Sequence, residues 1–330
     1  MPGSATTLVT GGAGYIGSHT VRALTSAGRH VVVLDSLELG RADAVIGAEL
    51  VVGDIADTTL VTELCRAHQV EQVVHFAAYK SVGESMEDPQ RYWRNNVSGT
   101  IDLLDACVAA GVRNMVFSSS CSVYGTPAVV PVTEAATIAP ESVYAETKAM
   151  IERVLGWYEA THGLSSVSLR YFNAAGASLD GRIGEDWTQS LNLIPLAMKA
   201  VLLGDRRLQV FGDDYDTPDG TCIRDYIHVD DLADAHVSSL DYLAAGGDAV
   251  AINVGTGTGS SVLDVIEAAA RVAGAAVPYD IVGRRAGDPI ATFADPAMAE
   301  ATLGWKAQYG LDDIVQSAYR WHRSQVGATT

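Results

Sequence analysis

Tyr144 and Lys148 stand four residues apart in Tyr144-Ala145-Glu146-Thr147-Lys148, a run that follows Pro140 and opens a stretch of helical periodicity. Residues i and i+4 share one helical face, so the phenol and the ammonium point the same way. A cation beside a phenol stabilises phenolate and lowers the tyrosine pKa toward a range useful for general base catalysis. Upstream, the apolar segment 115–118 runs into Ser118-Ser119-Ser120-Cys121-Ser122-Val123-Tyr124-Gly125. Hydroxyls at the carboxyl end of a strand lie at the edge where open α/β sheets bind ligands. A Tyr-x-x-x-Lys pair alone is common and usually only a helix surface, so its surroundings decide.

A second constellation lies at the front of the chain. Strand-like residues 7–10 lead into Gly11-Gly12-Ala13-Gly14-Tyr15-Ile16-Gly17-Ser18, and a helical stretch follows. Glycines at 11, 14 and 17 permit a tight turn, close approach of backbone to a pyrophosphate, and close packing of helix on strand. The second strand ends in Leu34-Asp35. A carboxylate there accepts both ribose hydroxyls of adenosine and repels a 2′-phosphate, which favours NAD over NADP. Taken singly, the glycines read equally as an ordinary connection and Asp35 as a turn cap. The order strand, glycine turn, helix, strand, aspartate favours the dinucleotide.

The elements that must position these groups show in the periodicity. Short β-branched runs at 7–10, 30–34, 49–52, 72–76, 115–118 and 166–170 alternate with amphipathic stretches at 16–27, 58–68, 95–110 and 143–161. Strands alternating with helices predict an α/β fold: a doubly wound, parallel, Rossmann-type sheet. From Asn173 the rhythm weakens and Gly- and Asp-rich loops (181–187, 212–221) separate shorter elements. This pattern predicts an NAD-binding domain over 1–172, with part of about 226–256 packing on it, and a smaller, mainly substrate-binding lobe over 173–330.

Composition excludes several classes. With 330 residues and 48% hydrophobic content the chain buries a substantial core. A net charge of −18 argues against nucleic acid or an anionic membrane as partner. Local arginines and helix N-termini can still hold a phosphate. Cys65, Cys107, Cys121 and Cys222 are too scattered for a disulfide scaffold or a metal site. Reduced thiols, no signal-peptide pattern and no membrane-length apolar run predict a cytoplasmic protein.

Taken in order, the segments VTGGAGYIGSHT, GDI, HFAAYKSVGES, NNVSGT, FSSSCSVYG, SVYAETK, LRYFNAAGA, RDYIHVDDLADAH and RRAGD cover nearly the whole chain. They resemble the extended branch of the short-chain dehydrogenase/reductase superfamily and, within it, the UDP-glucose 4-epimerase family. The resemblance implies a catalytic set of Ser120, Tyr144 and Lys148. Tyr144 takes the proton of the sugar 4-hydroxyl as hydride leaves C4, Lys148 holds the nicotinamide ribose, and Ser120 hydrogen-bonds the reacting oxygen. The 4-keto sugar turns over in the site and hydride returns to its other face, so tightly bound NAD is neither gained nor lost.

By the same resemblance the cofactor touches Gly11, Gly14, Tyr15, Ile16, Gly17, Asp35, Asp54, Ile55, Phe76, Ala77, Lys80, Asn95, Ser118, Tyr144, Lys148 and Phe172. The UDP-sugar touches Lys80, Ser120, Tyr144, Asn173, Asn192, Arg224, Arg285, Asp288 and Thr292. Two arginines suit a diphosphate in an acidic protein. Relatives with a bulky tyrosine at the position of Thr292 exclude an N-acetyl group at C2, whereas a small residue admits it. A homodimer through the helices at 95–110 and 143–161 is also implied. Blander readings stand beside these: Lys80 and Arg224 in ion pairs, Phe76 and Phe172 as core aromatics, Cys121 as packing, Thr292 as a plain strand residue, and His228 and Asp230 as structural.

Rival readings on the same scaffold are a nucleotide-sugar 4,6-dehydratase, a UDP-glucuronate decarboxylase, and an epimerase of UDP-xylose or UDP-glucuronate. Dehydratases of this branch carry an Asp-Glu pair just after the active-site hydroxyl, where this chain has Cys121 and Ser122. A non-catalytic NAD-binding scaffold is a reading of another class. Such proteins commonly lose the tyrosine or the lysine, and both are kept.

Overall fold

The valine-rich runs of the first half are too short for helices and rich in β-branched residues, and they fold as buried parallel strands. The computed structural model describes residues 5–327 apart from 189, 205 and 286. Its strands β1 (Thr6–Thr10), β2 (His30–Asp35), β3 (Glu49–Val52), β4 (Val70–His75), β5 (Asn114–Ser118) and β6 (Ser165–Tyr171) pair in the order β6-β5-β4-β1-β2-β3. A seventh strand, Val250–Val254, adds in parallel beside β6. This is the expected doubly wound α/β sheet. The strand order reverses between β1 and β4, which opens a crevice at their carboxyl ends.

Helices cover both faces, so the central strands are apolar throughout rather than alternating. On one face Leu8, Val73, Met115 and Phe117 pack against Val61, Leu104 and Ile151. On the other, Val9, Val33, Val116 and Leu169 pack against Leu24, Leu232 and Leu240. The helix Tyr15–Ser26 lies on this second face, clamped to the helix Val229–Ala244 by His19 Nδ1 and Asp230 Oδ1 at 2.7 Å.

Helix ends fall within a residue or two of expectation, with one exception. The stretch expected as helix over 95–110 enters through a π-helical turn, Trp93–Gly99, before the α-helix Thr100–Ala110. The extra residue turns Asn96 inward, where its amide brackets the Tyr79 backbone: Oδ1 accepts from Tyr79 N and Nδ2 donates to Tyr79 O, each at 2.9 Å. Single π turns of this kind recur at functional sites.

The second lobe packs the helices Leu193–Leu203, Val262–Ala273 and Leu311–Gly327 around Met198, Val265 and Ile314. A small sheet pairs Ile223–His228 with Asn173–Ala175, Gly259–Ser261 and Ala291–Thr292. No helix among the described residues is long and apolar enough to cross a membrane.

Candidate active site

The glycine turn leaves no room for side chains. Gly11 has φ +71°, and a Cβ on it would lie 2.6 Å from the Ala77 nitrogen. A Cβ on Gly17 would lie 2.2 Å from the Gly11 carbonyl oxygen. Gly14 caps the helix Tyr15–Ser26 without any side-chain hydrogen bond, so the N–H groups of its first turn face the crevice unclaimed. Asp35 is buried; Oδ2 accepts from Ala13 N at 2.9 Å and Oδ1 from Leu37 N at 2.8 Å. It therefore caps the turn as well. A carboxylate has about four acceptor positions, so about two remain for ribose hydroxyls. A cradle that any Cβ would fill, an open helix N-terminus and a spare carboxylate edge fit NAD.

Around the cradle, Ile55 is buried against Gly99, while Asp54 is exposed and its Oδ1 accepts from Ala56 N at 2.9 Å. The Phe76 ring lies 4.7 Å from that of His236, half-buried against the core. Tyr15 spans to the second lobe through a 2.7 Å bond from its hydroxyl to the Gly176 carbonyl.

The strand β5 and the helix Val143–His162 bring the reactive groups together. Ser142 caps that helix by accepting from Ala145 N, which sets Tyr144 in the first turn and Lys148 one turn later. Lys148 is buried; its Nζ donates to the Ser118 carbonyl at 2.7 Å and lies 5.8 Å from the Tyr144 ring centroid. Ser118 Oγ is hydrogen-bonded to the Tyr171 hydroxyl. Ser120 opens the turn Cys121–Tyr124, and its Oγ accepts from Ser122 Oγ at 2.9 Å and Ser122 N at 3.2 Å.

The electrostatics correct one expectation. Burial, seconded by Tyr171, pushes the Tyr144 phenol well above its ordinary range, and a hydrogen bond with Ser120 works against that rise. Lysine was expected to lower the phenol. Instead Lys148, turned onto the Ser118 carbonyl, is itself brought down by burial to about 7, with Glu152 opposing. Desolvation leads both shifts here.

On the substrate side, Thr292 sits opposite Arg224, and Asn173 opposite Tyr226, in the small sheet. Arg224 Nη1 donates to the Ile223 and Pro289 carbonyls at 2.8 Å each, and Nη2 lies 3.5 Å from Asp288 Oδ1. The ion-pair reading of Arg224 thus holds, its partner being another expected substrate residue. Asn173 Nδ2 donates to the Asp225 carbonyl at 3.3 Å. The Arg285 guanidinium is exposed and stacks 4.3 Å over the Phe211 ring. Thr292 is 6% exposed, and its Oγ1 has no hydrogen-bond partner among the described residues. Phe172 and Cys121 share an apolar cluster with Val132 and Ala294, which bears out packing for both. Burial raises the Cys121 thiol to about 12, so it is no nucleophile at neutral pH.

Four groups went unread in the sequence. Buried Glu185 accepts from Asn192 Nδ2 at 3.0 Å and Ser190 Oγ at 2.9 Å, and lies 3.6 Å from Lys80 Nζ, so it joins two expected ligands from distant segments. Asn96, rather than its neighbour Asn95, is the buried member of that pair; Asn95 Nδ2 donates to Asn96 Oδ1 at 2.9 Å. Glu152 and Arg170 form a largely buried ion pair behind Ser119. A signal existed for these last two: Glu152 repeats the i+4 spacing after Lys148, and Arg170 is a lone charge in an otherwise buried strand.

The profile of the NAD dependent epimerase/dehydratase family matches residues 7–255. The UDP-glucose 4-epimerase of Lactobacillus helveticus is 45% identical over 319 residues, 96% of this chain and 97% of its own. The crystal structure of UDP-glucose 4-epimerase from Brucella ovis in complex with NAD superposes with a TM-score of 0.95 at 46% identity, covering 97% of this chain and 98% of that one. The enzyme from Stenotrophomonas maltophila, with bound NAD and formylated UDP-arabinopyranose, gives a TM-score of 0.95 at 42% identity, covering 98% and 99%.

Proposed function

The chain belongs to the NAD dependent epimerase/dehydratase family, and from that premise we propose that it is an NAD-dependent isomerase inverting C4 of UDP-hexoses, so that UDP-galactose and UDP-glucose interconvert. One observation carries this reading: Ser120, Tyr144 and Lys148 converge at the carboxyl end of β5, with no acid or base following at Cys121 and Ser122. NAD, held by the glycine cradle and Asp35, supplies when bound an acceptor that takes hydrogen from C4 and gives it back. Tyr144, as phenolate, accepts the 4-hydroxyl proton and, as phenol, returns it after the ketone has turned, with Ser120 beside it. Lys148, tied to the Ser118 carbonyl, presents positive charge at the cofactor end. Arg224 and Arg285 offer planar donor forks to the diphosphate.

Purified protein incubated with UDP-galactose, without added NAD, is expected to yield UDP-glucose with no net NADH. Acid is expected to release NAD from it. NADP as the resident cofactor contradicts the Asp35 assignment, and a 4-keto-6-deoxy sugar as main product contradicts epimerisation.

Thr292 sets the breadth of the sugar pocket. Its side chain is much smaller than a tyrosine's, and its buried Oγ1, unpartnered among the described residues, could donate to an acetamido carbonyl brought against it. A buried polar atom left unpaired costs about 1–3 kcal/mol, which such a bond recovers. UDP-N-acetylglucosamine is expected to be epimerised. Thr292→Tyr should lower that activity roughly a hundredfold, as filling a pocket does, and largely keep UDP-glucose activity. Equal acceptance by the tyrosine variant moves the gate elsewhere.

A second copy of the chain completes the reading, docked on the helices Thr100–Ala110 and Val143–His162. Supporting it, Trp157 is 71% exposed on the latter, beside partly buried Val154 and Tyr158. Light scattering on wild type and Trp157→Arg checks this, and a wild-type monomer contradicts it. The setting is the cytoplasm, where the free thiols of Cys65, Cys107, Cys121 and Cys222 persist.

A further inference from the structure

Directly behind the reacting groups lies an ion pair that proton transfer at Ser120 and Tyr144 leaves without a role. Glu152 lies one helical turn beyond Lys148, and Arg170 projects from β6. Arg170 Nε donates to Glu152 Oε1 at 2.9 Å and Nη2 to Oε2 at 2.5 Å, and the side chains are 9% and 11% exposed for Arg170 and Glu152 respectively. Ser119 Oγ donates to the same Oε1. The chain continues from Arg170 Nη1 to the Tyr124 hydroxyl at 2.9 Å, and from that hydroxyl to Asn253 Oδ1 at 2.8 Å. An apolar replacement of such a pair often costs no stability, so stability alone is a weak reason to keep it.

We infer that Glu152 is a positioning residue for the reaction: its carboxylate fixes Ser119, next to Ser120, and supplies the negative charge that keeps Lys148 an ammonium in a buried site. The surroundings of Lys148 support this. From its own helix it meets the Tyr144 ring and feels the charge of Glu152 one turn on, from β5 it meets the Ser118 carbonyl and the Phe117 ring, and its charge reaches His75 on β4. His75 is held neutral, lowered to about 3 by burial and then by Lys148, with Thr10 and Thr100 hydroxyls on its two nitrogens. Arg170 stands beyond Glu152 as counter-ion. Burial pulls Lys148 down while Glu152 pulls it up, and the balance falls at about 7. Taking away the carboxylate charge lowers it further. Lys148 acts as a cation, so the rate falls as pH rises through its pKa, and a lower pKa brings that fall to lower pH.

The chain has four lysines, Lys80, Lys148, Lys199 and Lys306, so ε-¹³C-lysine labelling gives a resolvable NMR titration of the purified protein with the cofactor it carries. The Lys148 signal is the one missing in Lys148→Arg. In Glu152→Gln, which keeps the shape and an acceptor for Ser119, the Lys148 midpoint is expected about one pH unit or more below wild type. The alkaline limb of kcat for UDP-galactose should move with it, while KM stays within about twofold. Glu152→Asp, which keeps the charge but draws back from Ser119, should hold the midpoint and lower kcat. If Glu152→Gln does not fold, Arg170→Met leaves Glu152 charged without its counter-ion and should raise the midpoint. An unmoved Lys148 midpoint in the folded variant overturns the inference. The activity limb rests on the epimerase reading, but the NMR midpoint does not, so a wild type without turnover would sink that reading and leave this test standing.

Discussion

Tyr144→Phe is expected to lower turnover about a hundred- to ten-thousand-fold, the usual cost of losing a general base, with cofactor and UDP-sugar still bound. Only the hydroxyl is removed. The ring keeps its place in the first turn of a helix whose cap, Ser142, is untouched. The Tyr144 backbone N–H still donates to Ser85 Oγ at 3.2 Å. Burial favours the neutral phenol, so the hydroxyl that serves as base when ionised also serves as the acid that returns the proton, and Phe can do neither. Loss should therefore fall on kcat rather than on KM or on the retained NAD. Steady-state kinetics, with calorimetric binding of UDP, checks this. Near-normal turnover in a folded Tyr144→Phe protein removes the residue from the mechanism.

Gly17→Ala is expected to strip the protein of its cofactor and cut activity at least a hundredfold. The new Cβ would meet the Gly11 carbonyl oxygen at 2.2 Å and the Gly12 Cα at 2.9 Å. Neither atom can yield easily, because Gly11 N is bonded to the Leu34 carbonyl at 2.9 Å and Gly11 itself lies against the Ala77 backbone. Overpacking of this kind costs about 1–3 kcal/mol where side chains absorb it, and here only backbone is available. On the proposed reading the same atoms form the pyrophosphate cradle, so the distortion should land on the cofactor. Gly156→Ala serves as the control: nothing lies within 4 Å of its added Cβ in the helix Val143–His162. It should be neutral or stabilise by up to about 1 kcal/mol. Acid release of NAD from the two variants, with melting curves, separates the cases. Full NAD content in Gly17→Ala contradicts the cradle.

What the sequence showed and what it hid divide along physical lines. The strands β1 to β4 are local runs rich in β-branched residues, and β5 and β6 are short buried runs between helical stretches, so local pattern finds them. The strand Val250–Val254 is equally short, but its place beside β6 depends on a pairing with a segment some eighty residues earlier, beyond any local pattern. The π turn over Trp93–Gly99 is not marked in the sequence, and it accompanies the inward amide of Asn96 on Tyr79, a tertiary contact. In the candidate site, the Tyr144–Lys148 spacing revealed a shared face. It did not reveal that burial moves both groups toward their neutral forms, because desolvation is set by the whole fold. Likewise Glu185 gathers Lys80 and Asn192 only after two distant loops meet.

The central claim is that hydrogen leaves C4 of the sugar and comes back to the opposite face of the same carbon without meeting solvent. UDP-[4-²H]galactose, incubated in ordinary water with purified protein and no added NAD, tests it most directly. Mass and proton NMR spectra of the product are predicted to show UDP-glucose with deuterium still at C4 and no hydrogen drawn from water. UDP-glucose whose C4 deuterium has been replaced by solvent hydrogen would contradict the account.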